Sequence, residues 1–132
     1  VTLLIGVNNQ YRGLSTTEYE TEFTSLLNQA IQFAAGENRN VYVLSIPDWG
    51  VTPFAKDRNA GEIRNAIDEF NCINQTISEK QRVNYIEITE GTRRAGEDPS
   101  LLAPDGLHYS GTEHLRWAEQ LVGAILRTKE GM

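Results

Sequence analysis

The apolar positions of the chain switch between two periods, and the switching reads as strand then helix, repeated about three times. Residues 1–7, Val-Thr-Leu-Leu-Ile-Gly-Val, form a continuous apolar run, as expected of a strand covered on both faces. Ser15 then precedes Glu18 at capping-box spacing. A helix is predicted from there, with Tyr19, Phe23, Leu26, Leu27, Ala30, Ile31 and Ala34 on its inner face and Gly36 as a stop. Residues 41–46 read as a second strand ended by Pro47, and 48–59 as a loop carrying Gly50 and Pro53. A second long helix is predicted over 60–81, with Ile63, Ala66, Ile67, Phe70, Ile73 and Ile77 inward. Residues 83–88 form the third strand, and 89–109, rich in Gly, Pro and charge, a long loop. The last helix starts at Ser110 with a second capping box to Glu113, and buries Leu115, Ala118, Leu121, Val122, Ile125 and Leu126.

This order predicts an α/β protein with a parallel sheet in a single domain. Three strands make a thin sheet for such a fold, which usually has about four to six. The chain also opens at Val1 directly inside an apolar stretch, with no polar lead-in and no signal-peptide pattern. We therefore expect a cut precursor or a part of a larger protein, with the compartment left open.

Composition narrows the classes. The 132 residues are 39% hydrophobic, which excludes wholesale disorder. No apolar run approaches the roughly 20 residues of a membrane-spanning helix. Net charge is −6, from 12 Lys and Arg against 18 Asp and Glu, and no basic block offers a footprint for nucleic acid. The lone Cys72 excludes an internal disulfide framework and a multi-cysteine zinc cage. Its place beside Phe70 and Ile73 predicts a buried, unreactive thiol. Asn74-Gln75-Thr76 matches a glycosylation sequon but lies within a predicted helix.

Chemistry is expected in the loops after the strands, where open α/β sheets bind ligands. The first, Gly6 to Gly13, holds adjacent Asn8 and Asn9, whose amides can serve an oxyanion or simply end a strand. In the second, Trp49 and Phe54 either wall a pocket or pack on the neighbouring helix. The third holds Asp105-Gly106-Leu107-His108. There a carboxylate can fold back onto an imidazole and leave its other nitrogen as a base, or the segment is a turn with a surface histidine. His114 lies in the first turn of the last helix, where a solvated or capping role is expected.

Leu-Leu-Ile-Gly-Val-Asn-Asn at the first strand and Asp-Gly-Leu-His-Tyr-Ser before the last helix together resemble the SGNH hydrolases, the GDSL esterases and lipases. The resemblance implies a three-layer, flavodoxin-like α/β/α fold and hydrolysis of small acyl esters through an acyl-serine, without a metal or other cofactor. It assigns Asn8 as oxyanion donor, His108 as general base and Asp105 as its orienting partner; Asn9 stands where the family usually has Asp. Arg12, Trp49 and Phe54 become candidate pocket residues by position. The family's Gly-Asp-Ser nucleophile block and second oxyanion glycine have no counterpart in these residues. About the first third of the domain is thus expected to be absent, and supplied by a separate N-terminal piece or replaced by self-association. Competing readings are a non-catalytic binding module on the same fold and, with less support from its loops, a flavodoxin-like nucleotide or receiver domain.

Overall fold

The computed structural model describes residues 1–131. Along it run β1 (Thr2–Leu3), α1 (Val7–Tyr11), α2 (Thr16–Phe33), β2 (Tyr42–Leu44), α3 (Ala60–Lys80), β3 (Asn84–Ile86), α4 (Thr89–Thr92) and α5 (Gly111–Glu130). The strands form one parallel sheet in the order β1-β2-β3, with Thr2 opposite Tyr42 and Tyr42 opposite Asn84. Parallel neighbours require a crossover, and α2 and α3 supply them.

The central strand divides the core. Val41 and Val43 pack with Tyr19, Phe23 and Leu27 of α2 and with Ile63, Ile67 and Phe70 of α3. Tyr42 and Leu44 belong instead with Ile86, Tyr109 and Trp117 of α5. Because successive strand residues point to opposite faces, helices cover both sides of the sheet. The expected α/β/α layering is therefore present. Both crossover helices start on side-chain caps: the Ser15–Glu18 capping box is complete, and Asn59 accepts from the Glu62 amide at 3.1 Å.

Several expectations need correction. The first strand does not run through residue 7. Gly6 takes φ 134°, which ends the extended chain, and Val7 already begins α1. Nor is β1 covered on both faces: Thr2 is exposed and Leu3 half-buried, and the flanking Val1 and Leu4 are 45% and 39% exposed. Cys72 is exposed rather than buried, because the inner stripe of α3 passes through Phe70 and Asn74. Leu26 is likewise exposed. The long segment after β3 is not a plain loop. It holds α4, two 3-10 turns and a Leu102–Tyr109 bridge.

The last helix departs furthest from its pattern. Leu115, Val122 and Leu126 are more than half exposed and Ala118 is exposed, while Trp117 and Glu113 are buried. α5 carries two apolar stripes, and a sheet of three short strands offers a surface for only one. Burying a side chain such as Leu115 is worth roughly 1.5–3 kcal/mol, which this fold leaves unused. The expected second capping box is absent too. Ser110 makes no cap bond and donates to the Ser100 carbonyl at 2.8 Å. Glu113 instead accepts from Arg116 at 2.8 Å and from the Trp117 indole at 3.1 Å.

A buried polar chain joins the carboxyl ends of the strands. Tyr19 donates to the Ile5 carbonyl at 2.9 Å, and Asn74, fully buried, donates to Tyr19 at 3.1 Å. Tyr85 donates to Asn74 at 2.6 Å. Asn71 accepts from the Ile46 amide at 2.8 Å and donates to Thr89 at 2.9 Å. Buried polar groups persist only when so satisfied. The network consumes the Asn74 side chain, so the sequon is not accessible in the folded chain.

Candidate functional site

The three strand-end loops converge on a cleft of about 510 Å³. Leu4 to Asn8 and Tyr11 come from the end of β1 and from α1, and Ile46, Pro47, Trp49 and Phe54 from beyond β2. Leu107 to Tyr109 come from the segment before α5, and His114 and Trp117 from α5 itself. Its walls are mainly apolar with a few polar groups, as in most ligand sites.

Local chemistry folds the Asp105–His108 segment into a tight turn. Asp105 Oδ1 accepts from the backbone amides of Leu107 and His108, each at 3.0 Å, and Gly106 takes φ 68° between them. That leaves Oδ2 facing His108 Nδ1 at 2.5 Å. The histidine contact first, and the two amides after it, hold the Asp105 carboxyl down to about 2. An ionised carboxylate only accepts, so the proton between the two groups sits on Nδ1. Nε2 then carries a lone pair and can act as a base. The His108 side chain is 76% exposed, so solvent reaches the pair.

The sign of the Asp105 shift gives a prediction. A carboxyl depressed in the folded state stabilises the turn at pH above its ordinary value near 4 and loses that contribution as pH falls through about 2. Carbon NMR of the Asp105 carboxyl is expected to titrate near 2. A midpoint at 4 would mean that the His108 contact is not formed in solution.

On the opposite wall the two asparagines part ways. Asn9 donates to Glu22 of α2 at 2.7 Å and is tied outward. Asn8 lines the cleft, and its side chain has no hydrogen-bond partner among the described residues. Both lie on α1 rather than in an open loop. Trp49 is at once wall and core: 6% exposed, it donates to Gln10 of α1 at 2.6 Å. Tyr11 and Phe54 flank it with ring centroids 5.3 and 6.2 Å away.

The structure thus brings Asn8, Trp49, Phe54, Asp105 and His108 to one region. Asp105 stands just behind the lining histidine. Arg12 is not among the lining residues; it is the exposed C-cap of α1. His114, expected only as a solvated or capping group, lines the cleft with its ring 4.4 Å from Trp117 and its Nδ1 3.0 Å from the Ser110 carbonyl. No serine, threonine or cysteine is among the lining residues. Gln10, which ties Trp49 to α1, is not singled out by the sequence. Asn74 on the apolar stripe of its helix is a signal of a different tie, the buried network with Tyr19 and Tyr85, since a polar group there needs a buried partner.

A family model for GDSL-like lipases and acylhydrolases matches residues 1–114. The chain is also similar in structure to LAE5, an alpha/beta hydrolase enzyme from the metagenome of Lake Arreo, Spain. That match has TM-score 0.66 and 19% identity over 94% of this chain and 58% of that one. Axe2, an acetylxylan esterase from Geobacillus stearothermophilus, superimposes with TM-score 0.62 and 19% identity over 97% of this chain and 57% of its own. The chain therefore spans less than two thirds of the length of these structures. No curated protein matches it in sequence.

Proposed function

This chain belongs to the GDSL-like lipase/acylhydrolase family, and on that premise we propose that it carries the base half of a serine ester hydrolase whose nucleophile lies outside these 132 residues. The observation that carries the reading is the Asp105–His108 contact of 2.5 Å in a cleft shared with Asn8 and lacking a serine. In this reading His108 Nε2 takes the proton of a serine hydroxyl as that oxygen attacks the acyl carbon, and returns it to the leaving alcohol. Asp105 orients the ring and stabilises the imidazolium. The Asn8 amide donates to the oxyanion of the tetrahedral intermediate. Trp49 and Phe54 bound the space for a small acyl ester, with no metal or other cofactor in the scheme.

Residues 1–132 are then one incomplete domain. The free edge of β1 and the exposed stripe of α5, Leu115, Val122 and Leu126, are where a serine-bearing N-terminal segment packs, as a strand and a helix. The similar structures are longer, this chain covering 58% and 57% of them. Self-association of two copies at the same edge would satisfy the same groups but bring no nucleophile. A cleft with no serine of its own also fits a binding module, so labelling must separate the two.

A serine-directed fluorophosphonate probe tests the proposal. The 132-residue chain alone is expected to take no label. A form extended upstream is expected to take it on a serine outside these residues, at a rate that drops in His108→Ala. An adduct on Ser45, Ser110 or another serine of this chain would overturn the assignment, and an unlabelled extended form would favour ligand binding without catalysis.

A further inference from the structure

Beneath the cleft, a buried and fully paired charge lies where the loop after β2 meets α4. Asp48 is 1% exposed. Its carboxylate accepts from Arg93 Nε at 2.9 Å and from the Gly50 amide at 2.8 Å. Its own amide donates to Thr92 Oγ1 at 3.1 Å, and its carbonyl accepts from the Tyr109 hydroxyl at 2.6 Å. Arg93 is held as firmly. Its side chain is 8% exposed and also pairs with Asp68, at 2.6 Å, and with Glu90. Three carboxylates around one guanidinium fix it in place, as the planar fork of arginine allows.

Two of the chain segments entering this knot deliver a residue to the cleft. Asp48 is followed by Trp49, and Tyr109 is preceded by His108. Between them the Phe54 amide donates to the Gly106 carbonyl at 3.1 Å. The Asp105–His108 turn is therefore moored to the loop after β2 on both sides, once through its backbone and once through the Tyr109 hydroxyl. Its outer face is open, with Asp105 half exposed and His108 more so. On that face only Asp105 holds the imidazole, and the turn as a whole is placed by these moorings and by the Ala103 amide, which donates to the His108 carbonyl at 2.8 Å.

We propose that Arg93, Asp48 and Tyr109 are positioning residues. The buried Arg93–Asp48 pair fixes the Asp48 carbonyl, and that carbonyl, through the Tyr109 hydroxyl, sets His108 against Asp105 with Nε2 toward the cleft. The inference rests on His108 being the base, and deepens that reading by naming what aims it. A pair that served only general stability would leave the local His108 contact intact in any variant that still folds.

The chain has two histidines, His108 and His114, and His114 hydrogen-bonds locally to Ser110, so the second serves as an internal reference. Nitrogen NMR of the 132-residue chain reads the tautomer of each ring. In Tyr109→Phe and Arg93→Met, His108 is expected to lose its single Nδ1–H signature and drift to the averaged position of mixed tautomers, while His114 stays in place. Arg93→Lys, which keeps the charge but not the fork, is expected to recover part of the signature. An unchanged His108 in folded Tyr109→Phe would overturn the proposal, as would both rings shifting together. Should Arg93→Met fail to fold, Tyr109→Phe decides alone, since it removes one hydroxyl and no charge. No ester is turned over in this measurement, so its failure is distinct from failure of the hydrolase reading, which the fluorophosphonate labelling decides.

Discussion

Replacing His108 by alanine in a serine-bearing form of the protein is expected to lower ester turnover by roughly 10²- to 10⁴-fold, the usual contribution of a positioned acid–base group. At 1.36 kcal/mol per factor of ten this is about 3–5 kcal/mol of transition-state stabilisation. The loss follows from the geometry. In the proposed reading Nε2 of His108 is the base, with Asp105 ionised and paired with Nδ1 behind it. The fold should hardly notice, because the side chain is 76% exposed and removes no core contact. Unfolding free energy is expected to stay within about 0.5 kcal/mol. His114→Ala is the matched control, since His114 lines the same cleft but has no carboxylate behind it. Equal losses in the two variants, or normal turnover without His108, would move the base elsewhere.

The second large effect is on folding. Gly6→Ala is expected to destabilise the chain by roughly 2–5 kcal/mol, combining backbone strain with overpacking. Gly6 holds φ 134°, which side-chain-bearing residues rarely adopt. A Cβ there would stand 2.6 Å from Ile46 Cδ1 and 2.7 Å from the Tyr19 hydroxyl. That hydroxyl already holds the Ile5 carbonyl and receives Asn74, so moving it disturbs the buried network and the start of α1 together. Gly13→Ala separates the two causes. Gly13 has φ 69° with open space around it, so only the backbone cost of about 1–2 kcal/mol remains. Denaturant midpoints of the two variants test the difference, and equal shifts would show that Tyr19 and Ile46 yield freely.

Much of the fold was legible because helix periodicity and caps are local. The Ser15 box, the stripe Tyr19, Phe23, Leu27 and Ala30, and the Asn59 start of α3 all depend on residues within a few positions. The α5 face was misjudged for the opposite reason. Its sequence has two apolar stripes, and periodicity does not say which one meets a partner. Only the extent of the sheet chose Trp117 over Leu115 and Val122. Cys72 fails in the same way, one helical position off the buried stripe.

Within the site, the same boundary appears. Asp105 and His108 are three residues apart across a glycine turn, so the local chain allows their contact and it could be anticipated. Asn8 rather than Asn9 was named only through the family resemblance, since spacing alone does not separate them, and in the fold Glu22 of α2 draws Asn9 outward. Arg93, 45 residues from Asp48, joins it only when β2 and β3 lie side by side. Local chemistry determined which groups can react. The tertiary structure decided what holds them, because that support is exchanged between segments the sequence keeps far apart.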